Sequence, residues 1–166
     1  MSTTLPSRSR EAVRAMLLTE DGQVLMLRLK NPRGVFWIAP GGGIDAGEND
    51  HEALHRELYE ETGLVQPDIG PLIWTRQTTY ILDEHTPYAV EIFQSERFFL
   101  VPVTQFAAHA ENMPQETERD WFEGFGWLNA NDIESSAERI LPTQLGRYLR
   151  LLISEGAPSE PIDVGR

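Results

Sequence analysis

The sequence predicts an α/β fold, a mixed β-sheet with a helix against either face. Three observations carry that prediction. Apolar strand runs recur along the chain, a helix bounded by its own start and stop residues interrupts them, and a second helical pattern follows the last of them. With 166 residues the chain suffices for one domain around one core, and the absence of cysteine excludes disulfides and cysteine-ligated zinc.

Residues 1–10 read as a disordered tail, and a single domain is expected over 11–154. Ala12 to Thr19 and Gln23 to Lys30 are strands joined by Glu20-Asp21-Gly22, a hairpin signal. Asn31-Pro32-Arg33-Gly34 is a turn, and Val35 to Ala39 a short strand that delivers Pro40-Gly41-Gly42-Gly43. A helix is expected over about 50–62, with Asn49 as its N-cap, Glu52 placed to reach back to the cap's N–H, and Gly63 as its left-handed stop. Ala53, Leu54 and Leu58 then point to the core. Leu72 to Leu82 and Tyr88 to Val103 read as neighbouring strands, the second with room for a break near Phe93. Residues 104–120 form a polar loop long enough for an active-site flap, and Gly124 to Leu128 is the last strand. Pro142 to Ser154 repeats apolar residues at helical spacing, and 155–166 is expected to fray.

The chemistry concentrates between Gly42 and Leu64. Glu57, Glu60 and Glu61 stand at i, i+3 and i+4, so three carboxylates share one face of the predicted helix. They crowd its last turn, where the helix dipole favours cations; Arg56 offsets part of this and forms an i, i+4 pair with Glu52. Two readings follow, a solvated acidic face or a site for a hard divalent cation such as Mg²⁺ or Mn²⁺. The glycine run before the helix lets backbone approach a ligand, but no Gly-Lys-Ser/Thr follows, so it is not a P-loop; a flexible turn is the alternative. Arg28 and Lys30 share a strand face that meets either phosphate or solvent.

The same stretch resembles the Nudix box, Gly-x5-Glu-x7-Arg-Glu-U-x-Glu-Glu-x-Gly-U with U a bulky aliphatic. Gly42, Glu48, Arg56, Glu57, Leu58, Glu60, Glu61, Gly63 and Leu64 fill every specified position. Trp127-Leu128-Asn129-Ala130-Asn131-Asp132-Ile133 is similar to the family's strand-to-helix segment near the end of the domain. The resemblance implies a Nudix-type α/β/α sandwich and metal-dependent hydrolysis of a pyrophosphate bond in a nucleoside diphosphate linked to another moiety. Candidate substrates are nucleoside triphosphates, dinucleoside polyphosphates, ADP-ribose and nucleotide sugars. It implies Glu57, Glu60, Glu61 and the Gly41 carbonyl as ligands of Mg²⁺ or Mn²⁺, Arg56 as the residue orienting the carboxylates, and Gly42 and Glu48 as support. The group that deprotonates water is Glu57 or a later carboxylate, Glu118, Asp120 or Glu123. Tyr80 resembles a position associated with dinucleoside polyphosphate hydrolases, or is a strand tyrosine half in the core. A non-catalytic nucleotide-binding module on the same fold is the alternative function.

A formal charge of −12 argues against binding long nucleic acid, which needs clustered Lys and Arg. No apolar run reaches membrane-spanning length and residues 1–10 lack a signal-peptide core, so a cytoplasmic protein with a small nucleotide partner is expected, as monomer or homodimer.

Overall fold

The computed structural model describes residues 4–114 and 117–165. Its sheet is built on Ser7–Leu18 (β1), which turns at Gly22 into Val24–Asn31 (β2). Gly34–Ile38 (β3) and Gly41–Gly43 (β4) follow, then the helix Asp50–Thr62 (α1). The long strands Leu72–Leu82 (β5) and Val90–Pro102 (β6) precede a short helix, Thr117–Trp121 (α2), and Phe122–Leu128 (β7). Ala130–Glu134 (α3), Arg139–Ile140 (β8), Leu145–Glu155 (α4) and Ile162–Asp163 (β9) complete the chain.

The strand order is β8-β3-β2-β1-β6-β5-β9, with β4 added to β1 and β7 to β2. β1 and β6 run parallel while β1 and β2, and β5 and β6, are antiparallel, so the sheet is mixed, as the sequence predicts. Side chains alternate across each strand and sort the two faces. Val13, Ala15 and Leu17 of β1 pack with Leu54 and Leu58 of α1, whereas Met16 joins Trp74, Phe98, Leu145, Leu149 and Leu152 in the core under α4. No helix among the described residues is long and apolar enough to cross a membrane.

α1 begins and ends as its caps require. Asn49 Oδ1 accepts from the Glu52 N–H at 2.8 Å, and Gly63, at φ 78°, donates its N–H to Tyr59 O. Glu52 differs from expectation, because its carboxylate accepts from the Asn49 side-chain amide at 2.6 Å and does not reach the cap's backbone.

Three further boundaries are corrected. Residues 7–10, expected in the tail, are strand, because β6 is long enough to pair Ser7 with Glu91 and Arg10 with Gln94. The end of the chain, expected to fray, returns as β9 beside β5, with Val164 buried and its N–H on Thr75 O at 2.9 Å. β6 is unbroken at Phe93, which is paired with Ser9 on one side and Thr79 on the other. The polar stretch after β6 is anchored: Phe106 meets Trp127 edge-on at 5.5 Å and Met113 is buried.

Leu58 is fully buried between α1 and the sheet. Leu58→Ala should therefore cost about 2–5 kcal/mol of stability, seen as a lower urea midpoint with an unchanged slope.

Candidate active site

α1 and β4 are brought together by the turn Ile44 to Asn49, and their facing atoms fit closely. Glu57 is 8% exposed and Glu61 3%, so neither belongs to a solvated acidic face. Gly41 takes φ 143°, and a Cβ there would collide with the Val13 carbonyl oxygen. A Cβ on Gly42 would lie 2.6 Å from Glu57 Oε1, so the missing side chain is the space this carboxylate occupies. Gly41 donates its N–H to Glu61 Oε2 at 2.8 Å. The glycines are thus shaped to two helix carboxylates, which a flexible turn would not require.

Arg56 binds the loop to the helix. Its Nε and Nη2 donate to the two Glu48 oxygens at 2.8 Å each, and Nη2 also reaches Gly43 O at 2.9 Å. Nη1 donates to Glu57 Oε1 at 2.9 Å and to Glu60 Oε2 at 3.4 Å. The expected pair with Glu52 does not form, since Arg56 is turned towards the loop and Glu52 towards Asn49. These bonds hold the Glu48 carboxyl below the usual carboxylate range, and Glu48 in turn raises the guanidinium above its already high value.

The donors present, carboxylates and a carbonyl, are hard oxygens that suit a divalent ion of the Mg²⁺ type. Among the described residues no three acidic or histidine side chains form a preassembled cation cage. Arg56 sits against Glu57 and Glu60, so ion binding there requires those side chains to adjust.

Other candidates fall elsewhere. Arg28 forms two bonds with Glu138, at 3.0 and 2.7 Å, and pairs with Glu123, so its charge is already met by carboxylates. Glu123 lies in β7, not in a loop; Asp120 is exposed on α2, and the Glu118 side chain lies outside the described residues. Tyr80 is half-buried, its hydroxyl accepting from Arg10 Nη1 at 3.0 Å and donating to Gln94 Oε1 at 3.2 Å.

Sequence reasoning missed one feature of the site. Glu96, nearly inaccessible, accepts from Arg14 Nε at 3.1 Å, Arg76 Nη1 at 2.8 Å and Gln94 Nε2 at 2.8 Å, and Arg14 continues to Ala39 O and Gly41 O, both at 3.2 Å. Burial raises the Glu96 pKa, but the two guanidiniums outweigh it and the carboxyl stays below its usual value. The available signal was a charge inside each apolar run, Arg14 in Ala12 to Thr19 and Glu96 in Tyr88 to Val103.

A glycine strand locked to a Glu-rich helix against a mixed sheet is the arrangement that the Nudix resemblance implies. The NUDIX domain model matches residues 8–150, and the chain belongs to that family. The RNA pyrophosphohydrolase of Edwardsiella ictaluri is 33% identical over 125 residues, 72% of this chain and 68% of that one. The RNA pyrophosphohydrolase of Roseobacter denitrificans is 28% identical over 86% of this chain and 89% of its own. Among solved structures, a MutT protein from Methanosarcina mazei superposes with TM-score 0.63 at 21% identity, covering 93% of this chain and 98% of that one. The NUDIX domain of Shewanella oneidensis NrtR, solved with ADP ribose, gives 0.55 at 20% identity over 87% and 89%. The chain is accordingly an enzyme of the Nudix pyrophosphohydrolase class, a family that generally uses a divalent metal.

Glu48, Asp50 and Glu96 are each held below their usual pKa, Asp50 chiefly by Arg97. A lowered folded-state pKa means that the unfolded chain binds more protons as pH falls. The stability these groups supply is thus complete above the usual carboxylate range and lost as pH drops through the folded values. The melting temperature should fall on acidification below about pH 4.5, the ordinary glutamate value. Glu48→Gln should make that dependence shallower, read by calorimetry at stepped pH.

Proposed function

We propose that the chain hydrolyses the pyrophosphate bond of a small substrate, a nucleoside diphosphate linked to another group, with Mg²⁺ or Mn²⁺. The observation that carries this reading is the fit of Gly41 and Gly42 to Glu61 and Glu57, with Arg56 tied at once to Glu48, Glu57 and Glu60. Glu57, Glu60, Glu61 and the Gly41 carbonyl would hold the ion, whose chemistry when bound is neutralisation of phosphate charge and activation of water.

The residues do the rest. Arg56 keeps two carboxylates in place across the loop, and Glu48, held ionised by it, fixes the guanidinium from the far side. Glu61 is anchored by the Gly41 N–H, which limits how its carboxylate can turn. The proton acceptor for water is Glu57 on α1 or a later carboxylate, Glu118 or Asp120. Glu123 serves this role less well because it is engaged by Arg28.

A second reading, a 5′-phosphorylated RNA end, is favoured by the names of the curated relatives and opposed by the charge of −12. The two separate in one panel of nucleoside triphosphates, dinucleoside polyphosphates, ADP-ribose, nucleotide sugars and a 5′-triphosphorylated RNA oligonucleotide, assayed for phosphate release with coupled phosphatase. Turnover of a small nucleotide, lost with EDTA, is the expected result; turnover of the RNA alone selects the second reading. Glu57→Gln and Glu61→Gln should each lose more than about 10²-fold in rate. Near-normal turnover by both would overturn the assignment, and a comparable loss in Asp120→Asn but not Glu57→Gln would move the proton acceptor to α2.

A further inference from the structure

The buried ion cluster behind the glycine strand stands outside the box and outside every role assigned above. Arg14 lies on β1 with the fully buried Ala12 and the nearly buried Met16 on the same strand face, a place where an apolar side chain would be the ordinary choice. Its guanidinium points along the sheet to the strand that faces α1. One nitrogen, Nη1, donates to both Ala39 O and Gly41 O at 3.2 Å, while Ala15 N–H takes Pro40 O between them at 2.8 Å. Three consecutive carbonyls are thus gripped from two neighbouring residues of β1. From behind, Arg14 Nε is held by Glu96, which Arg76 and Gln94 hold in turn.

We propose that Arg14 is a positioning residue for the cation site, orienting the Gly41 carbonyl directly and Glu61 through the Gly41 N–H. This rests on the reading that Gly41 O, Glu57, Glu60 and Glu61 hold a divalent ion. The geometry gives the reason for both effects. Arg14 holds the carbonyls of the two peptide planes that flank the one between Pro40 and Gly41, whose own carbonyl is held by Ala15 N–H; fixing both flanks keeps the Gly41 N–H on Glu61 at 2.8 Å. Outer-shell partners of this kind fix donor orientation. A fold-stabilising role alone accounts for the cluster poorly. Two guanidiniums share one carboxylate, and replacing Arg14 by an apolar residue would leave Glu96 with Arg76 as a neutral, hydrogen-bonded pair.

The test is Mn²⁺ binding, followed by electron paramagnetic resonance, in the full chain and in the Arg14→Met, Arg14→Lys and Glu61→Gln variants, with thermal melts alongside. Deleting a positive charge near the ion would by itself tighten binding, so weaker binding reports lost orientation. Arg14→Met should bind Mn²⁺ about 10-fold or more weakly, the lower end of the range for outer-shell partners, while melting close to the parent chain. Arg14→Lys, which keeps a donor but not the fork, should recover part of the loss. Glu61→Gln identifies the site. If the parent chain fails to bind Mn²⁺, or Glu61→Gln binds it equally well, the cation reading itself falls and this inference with it. If Glu61→Gln loses binding while Arg14→Met keeps or gains affinity, the cation reading stands and the role of Arg14 is overturned. A lower melting temperature with unchanged affinity likewise returns Arg14 to a purely structural part.

Discussion

Arg56 is the contact on which the site's geometry depends, because it resolves a conflict that α1 creates. The helix carries no basic residue in its last turn, and Glu57, Glu60 and Glu61 lie towards its negative end. Such a face is unfavourable in an isolated helix. Folding supplies two remedies. Arg56 bonds Glu57 and Glu60, and the Gly41 N–H meets Glu61. Neither remedy neutralises the patch, since Arg56 also serves Glu48 and lies within 3.4 Å of Asp45. The patch stays rich in carboxylate at the mouth of a glycine strand, which suits the cation proposed above and, through it, an anionic phosphate chain.

The second constraint is the placing of β1 in the middle of the sheet. Its residues facing α1 are Val13, Ala15 and Leu17, and those facing the other way include Arg14 and Met16. The same strand pairs with β4 in the register Val13 to Gly42 and Arg14 to Gly41. Period-two alternation therefore makes one strand serve two tasks at once: it seats the helix that bears the carboxylates and supports, from the opposite face, the backbone those carboxylates touch. A slip of one residue in β1 would turn Arg14 towards Leu54 and Leu58, so the register is held by burial on both faces.

What could be read in the sequence was what is encoded locally. Asn49 and Gly63 mark the ends of α1 within a single stretch, and the box residues fall on the helix and loop that bear them. The Arg14, Glu96 and Arg76 cluster was not legible, because it exists only once β1, β5 and β6 are neighbours, with 82 residues separating Arg14 from Glu96. Residues 7–10 are all charged or polar and read as tail, yet they become strand because β6 offers them a backbone partner. Glu123 and Arg28 each suggested chemistry alone and turn out to satisfy one another, together with Glu138, which also accepts from Trp37 Nε1 at 2.6 Å. Ion pairs between distant strands are invisible to spacing arguments, which see only i+3 and i+4.

The same pairing bears on the small substrate proposed above. Arg14, Arg28, Arg56, Arg76, Arg97 and Arg150 are each bonded to a carboxylate, so much of the positive charge in a chain of net −12 is spent inside the fold. A polyanion gains affinity by meeting many exposed cations at once and releasing its counterions, and cations already committed to carboxylates contribute little to that gain. A short phosphate chain needs only a local reversal of field, which a divalent ion between α1 and β4 would provide. The compact nucleotide proposed above rests, in this respect, on how much cationic charge the fold commits to its own carboxylates, independently of the shape of any pocket.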